Sequence, residues 1–197
     1  MIDKDDLKSI TKKNGWLFDW KSEYAQADRD VYKLTIIGNS NVVQGLISIT
    51  EREDHVYMHL IESAPFNLGR NKVYLGVPGN LVAFVCRISF HRRFEGYVSF
   101  TAKTQLIEHY KKTLGAVNIG GHLMVINTES ALNLVDKYFK LEIMGLIREP
   151  LDVDFFVDPK PLTENEKKMI SDFIKEDKKK RKSKMTSKKG AYTQHAV

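Results

Sequence analysis

Backbone N–H groups are the most visible chemistry in this chain. Gly76-Val77-Pro78-Gly79-Asn80 sets two glycines and a proline between a strand-like run, His55 to Ser63, and an apolar run, Leu81 to Phe90. A turn of that make-up opens a helix whose first N–H groups find no acceptor within it, and such a helix start attracts phosphate. Arg70 and Lys72, just upstream, bring cationic charge to the same place. The histidines offer less: His55, His59, His91, His109, His122 and His195 show no metal-ligand spacing on any one element, so no metal is expected. Cys86 falls inside the helical pattern and reads as a small buried hydrophobe. No Gly-x-Ser-x-Gly elbow and no Gly-Lys-Ser phosphate loop occurs.

The elements that must position this turn follow from periodicity. Val31 to Ile37, the turn Gly38-Asn39-Ser40-Asn41 and Val42 to Thr50 read as a hairpin, and His55 to Ser63 adds a third antiparallel strand. In that strand Val56, Met58 and Leu60 alternate against Tyr57, His59 and Ile61. Leu81, Val82, Phe84, Val85 and Ile88 recur at helical spacing, and Tyr97 to Thr101 returns to the sheet, which makes one strand pair parallel. Leu106 to Ala116 reads as a helix closed by Gly115, His122 to Asn127 as a strand, and Thr128 to Phe139 as a further helix. Near the N-terminus, Asp5 to Lys12 predicts a short helix and Gly15 to Trp20 a strand with Trp16, Phe18 and Trp20 on one face, packing aromatics. Thr163 and Glu166 form a capping box that opens a helix carrying Met169, Ile170, Phe173 and Ile174 on one side. Residues 141–158 fit no element. The expected fold class is α/β (α+β): a mixed, mostly antiparallel central sheet flanked by helices.

The order strand, glycine turn, helix, strand, helix, strand from His55 to Asn127 resembles the core of the GCN5-related N-acetyltransferase (GNAT) superfamily, as a divergent member. In that family the turn after the fourth strand carries Gln or Arg, two variable residues, Gly, a variable residue, then Gly or Ala. Here Gly76 matches the first glycine, while Val73 and Pro78 depart from the pattern. The family's Tyr-Glu-Lys-x-Gly-Phe helix end is similar to Tyr110-Lys111-Lys112-Thr113-Leu114-Gly115-Ala116. The resemblance implies transfer of an acetyl group from acetyl-CoA to a small-molecule or protein amine, with Glu62 as base and Tyr110 as acid. It also implies coenzyme contacts at Ile61, Glu62, Ser63, Arg70, Lys72, Leu75, Gly76, Val77, Gly79 and Asn80. The alternatives are a non-catalytic member of the fold and a nucleic-acid-associated binding module.

Composition frames these readings. The chain has 197 residues, 42% of them hydrophobic, enough for one ordinary core, and no apolar run approaches the roughly 18 residues that span a bilayer. With one cysteine and no leader pattern, cytoplasmic residence is the expectation, with no membrane contact. The net charge of +6 is concentrated at the C-terminal end, around Lys178-Lys179-Lys180-Arg181-Lys182. This block reads as a disordered tail, either solubilising or touching nucleic acid without sequence specificity. The resulting division is an acetyltransferase-like domain over 1–158, a helix over 159–177 and a basic tail over 178–197.

Overall fold

The computed structural model describes residues 1–139, Val157 and 160–192, with side chains described through Lys184. Most of 141–158 and His195 lie outside the described residues. The chain divides into two compact units, Met1–Pro161 and Leu162–Val197.

The first unit is built on a six-stranded sheet in the order β1-β2-β3-β4-β6-β5. The strands are β1 (Asp30–Leu34), β2 (Gly45–Glu51), β3 (Val56–Ser63), β4 (Val98–Thr101), β5 (Val117–Gly120) and β6 (Leu123–Ile126). All neighbours are antiparallel except β3 and β4. Helices α1 (Asp6–Ser9) and α2 (Trp20–Tyr24) precede the sheet, while α3 (Val77–His91), α4 (Ile107–Leu114) and α5 (Thr128–Phe139) follow β3, β4 and β6. The mixed, mostly antiparallel sheet flanked by helices agrees with the fold class expected from periodicity.

Both sheet faces are buried, and each has its own core. Ile47, Ile49, Met58, Ile61, Val98 and Phe100 pack with α3, α4 and α5. Leu46 and Leu60 pack on the opposite side with Trp16, Trp20, Val31 and the N-terminal segment. Strict alternation would pair Leu60 with Met58, yet the two lie in different cores. A β-bulge is the cause: Ser48 faces Leu60 and Ile49 faces Met58, so His59 is an extra residue that reverses the facing of everything after it.

Gly15 to Trp20 is not a strand. Asp19 accepts from the Ser22 N–H at 3.1 Å and starts α2 at Trp20. Trp16 and Trp20 are buried there, as packing aromatics. The short β5, bounded by Gly120 and Gly121, is an element that periodicity did not reveal. After α3, Arg93, Glu95 and Gly96 all take positive φ and swing the chain into β4. A side chain at Gly96 would come within 2.5 Å of Phe90 and 2.8 Å of Ala131.

The second unit is dominated by α6 (Glu164–Tyr192). Thr163 and Glu166 form the capping box, the Thr163 N–H donating at 2.7 Å and the Glu166 N–H returning a 3.3 Å bond to Thr163 Oγ1. Ile170 and Ile174 are its buried apolar stripe. The helix runs on through the basic block that composition marked as a disordered tail. Lysine and arginine are good helix formers, and the first glycine after the cap is Gly190.

Candidate active site

The sheet opens where β3 and β4 part. Their parallel pairing covers only Val56–Met58 against Val98–Phe100, and β3 then continues to Ser63. Among the described residues no strand pairs with the β4-facing edge of 59–63. On the other wall Ala102 N–H donates to His122, and Ala102 bridges to buried Val157 on its remaining edge, the one that faces β3. Among the described residues, the open backbone of this wedge belongs to β3, at Ile61 and Ser63, since Glu62 pairs with Leu46 of β2. Crevices at the carboxyl ends of strands that diverge are where open α/β sheets bind ligands.

The loop from Ala64 to Gly76 carries the chain from the wedge to α3. Gly76 caps α3 with φ 82°, a left-handed conformation that suits glycine. Pro78 occupies the first turn, where its missing N–H costs no helical bond. Asn80 N–H bonds to the Gly76 carbonyl at 2.9 Å, leaving Val77 and Gly79 as the N–H donors of the first turn without an intrahelical acceptor. A groove of about 170 Å³ beside them includes Leu75, Gly76, Val77 and Asn80, together with Tyr74 and Gln44. Arg70 is exposed on the loop and Lys72 half-buried. The loop thus gathers Arg70, Lys72 and the first turn of α3 into one segment.

What holds the loop in place is a pair that sequence reasoning missed. Buried Asn67 donates from Nδ2 to the Gln44 backbone carbonyl at 3.2 Å and to Gln44 Oε1 at 3.0 Å. Its Oδ1 accepts from the Tyr74 N–H at 3.0 Å, so one side chain ties two points of the loop to Gln44, the residue before β2. Nothing local in the sequence marks this pairing, since 23 residues separate the partners. Asn67→Ala is expected to cost about 2 kcal/mol, the price of buried groups left unpaired. Urea melts measure that loss, and hydrogen exchange at the Tyr74 amide should accelerate; unchanged exchange would refute the clamp. Tyr138 of α5 is the other unforeseen neighbour, since a Cβ on Gly76 would stand 3.5 Å from its ring.

Glu62 and Tyr110 lie on opposite faces of the sheet. Tyr110, buried on α4, sets its ring edge-to-face against Phe100 at 5.3 Å, on the α3 side of the point where the strands part. Glu62 projects from the other face and is buried. Its Oε1 accepts from the Leu17 N–H at 2.6 Å, and its Oε2 accepts from Trp20 Nε1 at 2.6 Å and the Phe18 N–H at 3.4 Å. Burial pushes its pKa up, against the three hydrogen bonds that pull it down. The carboxylate that the resemblance implies as base is also the anchor of the N-terminal segment.

No known family model, curated protein or solved structure matches this chain. What the site can do rests on its own geometry. Among the described residues no group of three His, Cys, Asp or Glu is placed to hold a metal ion. Cys86 is fully buried, and desolvation holds its thiol protonated, unsuited to nucleophilic attack. No described helix is long and apolar enough to cross a membrane.

Proposed function

We propose that this chain is an N-acetyltransferase that takes its acyl group from acetyl-CoA. The observation that carries this reading is the wedge between parallel β3 and β4, with the Gly76 turn at its open end. The family resemblance implies that same arrangement of splayed strands and phosphate-binding turn. Val77 and Gly79 N–H groups, with Arg70 and Lys72, would take the coenzyme phosphates. The β3 edge at Ile61 and Ser63 would bond the pantetheine arm. Of the two departures from the family pattern, Pro78 keeps the helix start but takes away one first-turn N–H that could face phosphate, leaving Val77 and Gly79, while Arg70 and Lys72 bring cations to the loop where Val73 brings none.

The two faces then carry different duties. The amine nitrogen attacks the thioester carbonyl carbon, forming the C–N bond as the C–S bond breaks. Glu62, on the face away from α3, accepts the ammonium proton through the lone-pair capacity its three donors leave, directly or through a water. Tyr110, on the α3 side, returns a proton to the departing sulfur.

Thermal unfolding with acetyl-CoA, desulfo-CoA and ATP tests the reading. Ligand at about 100 times its dissociation constant stabilises by roughly 2.7 kcal/mol, several degrees for a chain of this size. Both coenzyme compounds should raise Tm in the wild type and fail to do so in Gly76→Asp. Its Cβ would stand at ordinary contact distance from Tyr138, 3.5 Å, and Asp, though strained at this φ, is among the residues that visit a left-handed backbone. No shift with either coenzyme would end the acetyl-CoA reading.

A second reading attaches to α6, whose continuous helical backbone presents Lys178, Lys179, Lys180, Arg181 and Lys182 along one rod. Such an array suits non-specific contact with nucleic acid phosphates, a contact that weakens steeply with salt.

A further inference from the structure

We infer that three adjoining loops of the first unit form a docking surface for an anionic lipid bilayer, with Ile37 and its apolar neighbours entering the acyl-chain boundary and Lys12 and Lys13 meeting the headgroups. This goes beyond the acetyl-transfer reading and does not depend on it.

The segments 10–17, 35–44 and 64–76 meet side by side. Asn67 joins the third to the second through Gln44, and within the third the Val73 N–H donates to the Phe66 carbonyl at 3.1 Å. Tyr74 and Leu75 line one groove with Thr35 and Ile36. Val42 and Phe66 line another with Asn14 and Trp16, and a Cβ on Gly15 would come within 3.0 Å of Pro65. A single exposed apolar side chain is ordinary on a protein surface, whereas a cluster marks an interaction site. Among the described residues twelve large hydrophobics are exposed, and seven of them fall in these three segments. The Asn39 N–H donates to the Ile36 carbonyl at 2.9 Å, which sets Ile37 and Gly38 at the tip of a turn. Ile37 is 99% exposed there, Val73 is 61% exposed and Leu17 52%. Val42, Phe66, Tyr74 and Leu75 complete the set.

Charge selects the occupant. The three segments hold Lys12, Lys13, Arg70 and Lys72 and none of the chain's 25 acidic residues. Lys12 and Lys13 are exposed and carry the argument, because Arg70 and Lys72 also serve the coenzyme phosphates in the acetyl-transfer reading. Asp19, in the groove beside Lys12, is engaged as the cap of α2. Apolar tips ringed by cations fit an anionic leaflet, where each lysine near the surface adds about fivefold in affinity and the apolar side chains enter the headgroup boundary. A partner protein would need recesses matched to tips on three separate loops, whereas acyl chains close around any protrusion. The inference reverses the expectation of no membrane contact, which rested on spanning and leader patterns; docking on a surface needs neither.

The full chain is tested by co-sedimentation with two kinds of vesicle, phosphatidylcholine alone and equal parts phosphatidylcholine and phosphatidylserine. Wild type is compared with Ile37→Ser and with the double variant Lys12→Gln/Lys13→Gln. All three side chains are exposed, so each variant should keep the wild-type Tm. Wild type should bind the mixed vesicles and leave the neutral ones. Ile37→Ser should weaken that binding at least tenfold, by roughly the value of one buried aliphatic side chain. The lysine pair should weaken it about 25-fold. Binding that both variants keep would belong to the basic helix α6 and overturns the inference. Failure to bind either vesicle overturns it too, including the case in which sedimentation finds a dimer that Ile37→Ser dissolves, which would give the patch to a second copy of this chain.

Discussion

Glu62→Gln will destabilise the fold by about 3 kcal/mol, although it changes one atom. The carboxylate is acceptor-only and meets three N–H donors, two of them at 2.6 Å: Leu17 N on Oε1 and Trp20 Nε1 on Oε2. A glutamine must turn its NH2 toward one of them. Whichever way it flips, a buried donor faces a donor and a charge-assisted bond is lost, each costing about 1–3 kcal/mol. At roughly 2–4 °C per kcal/mol, Tm should fall by about 6–12 °C. Adding Trp20→Phe to Glu62→Gln removes one of the two opposed donors, so the pair should be less than additive. A Gln variant that melts with the wild type would show that the carboxylate does not hold the N-terminal segment. The pH dependence of this group has a definite sign. Its folded pKa is raised, so its contribution to stability is complete below the unfolded pKa and is lost as pH rises through the folded one. Anchoring at neutral pH therefore comes from geometry that an ionised carboxylate satisfies, against a burial cost it does not escape.

Much of the framework was legible because it is written in periodicity. α5 occupies the Thr128–Phe139 span that its cap and spacing predict, and the capping box at Thr163 forms as its two residues suggest. The single parallel pair follows from a helix inserted between two strands of one sheet. The Gly76 turn was legible too, because glycine and proline mark a helix start by their own backbone limits. What stayed hidden was non-local. The bulge at His59 leaves no compositional trace, yet it moves Leu60 and Ile61 to the faces opposite those that alternation assigns. The Trp16–Trp20 run alternates as a strand would, yet it stays irregular up to Asp19, whose cap bonds three residues ahead and starts α2 at Trp20. For the site, the residue types of Glu62 and Tyr110 were visible, but the clamp of Glu62 by Leu17, Phe18 and Trp20 joins segments more than 40 positions apart. Local pattern reports how a segment folds, and such a site depends on which segments meet.

The bulge residue itself supplies the second large effect: stability will fall by about 2 kcal/mol between pH 7 and pH 5 through His59 alone. Thr50 Oγ1 has one proton and lies 2.6 Å from the Asp28 carbonyl, which can only accept it. The hydroxyl must then accept from His59, 2.7 Å away, which fixes the neutral ring with its proton on Nε2. Among the described residues Nδ1 is left buried with no hydrogen-bond partner, and the residue is 4% exposed. A second proton would have to sit on Nδ1. Desolvation opposes it most, and Arg29 and Arg52 add their repulsion, while Glu23 and Asp28 offset part of it; the pKa falls to about 4. Tyr57 closes the remaining side, its ring edge-to-face with the imidazole at 4.7 Å. The unfolded chain takes up this proton near pH 6.5, so the stabilisation is full above that value and is lost as pH falls toward about 4. Glu62 works in the opposite direction over part of the same range, so the wild-type curve alone is not diagnostic. His59→Gln isolates the term, because the glutamine amide can keep the donation to Thr50 and does not titrate. Urea melts at pH 7 and pH 5 should show the wild type losing about 2 kcal/mol more than His59→Gln. If the two lose the same amount, the buried neutral imidazole is not what makes this fold sensitive to acid.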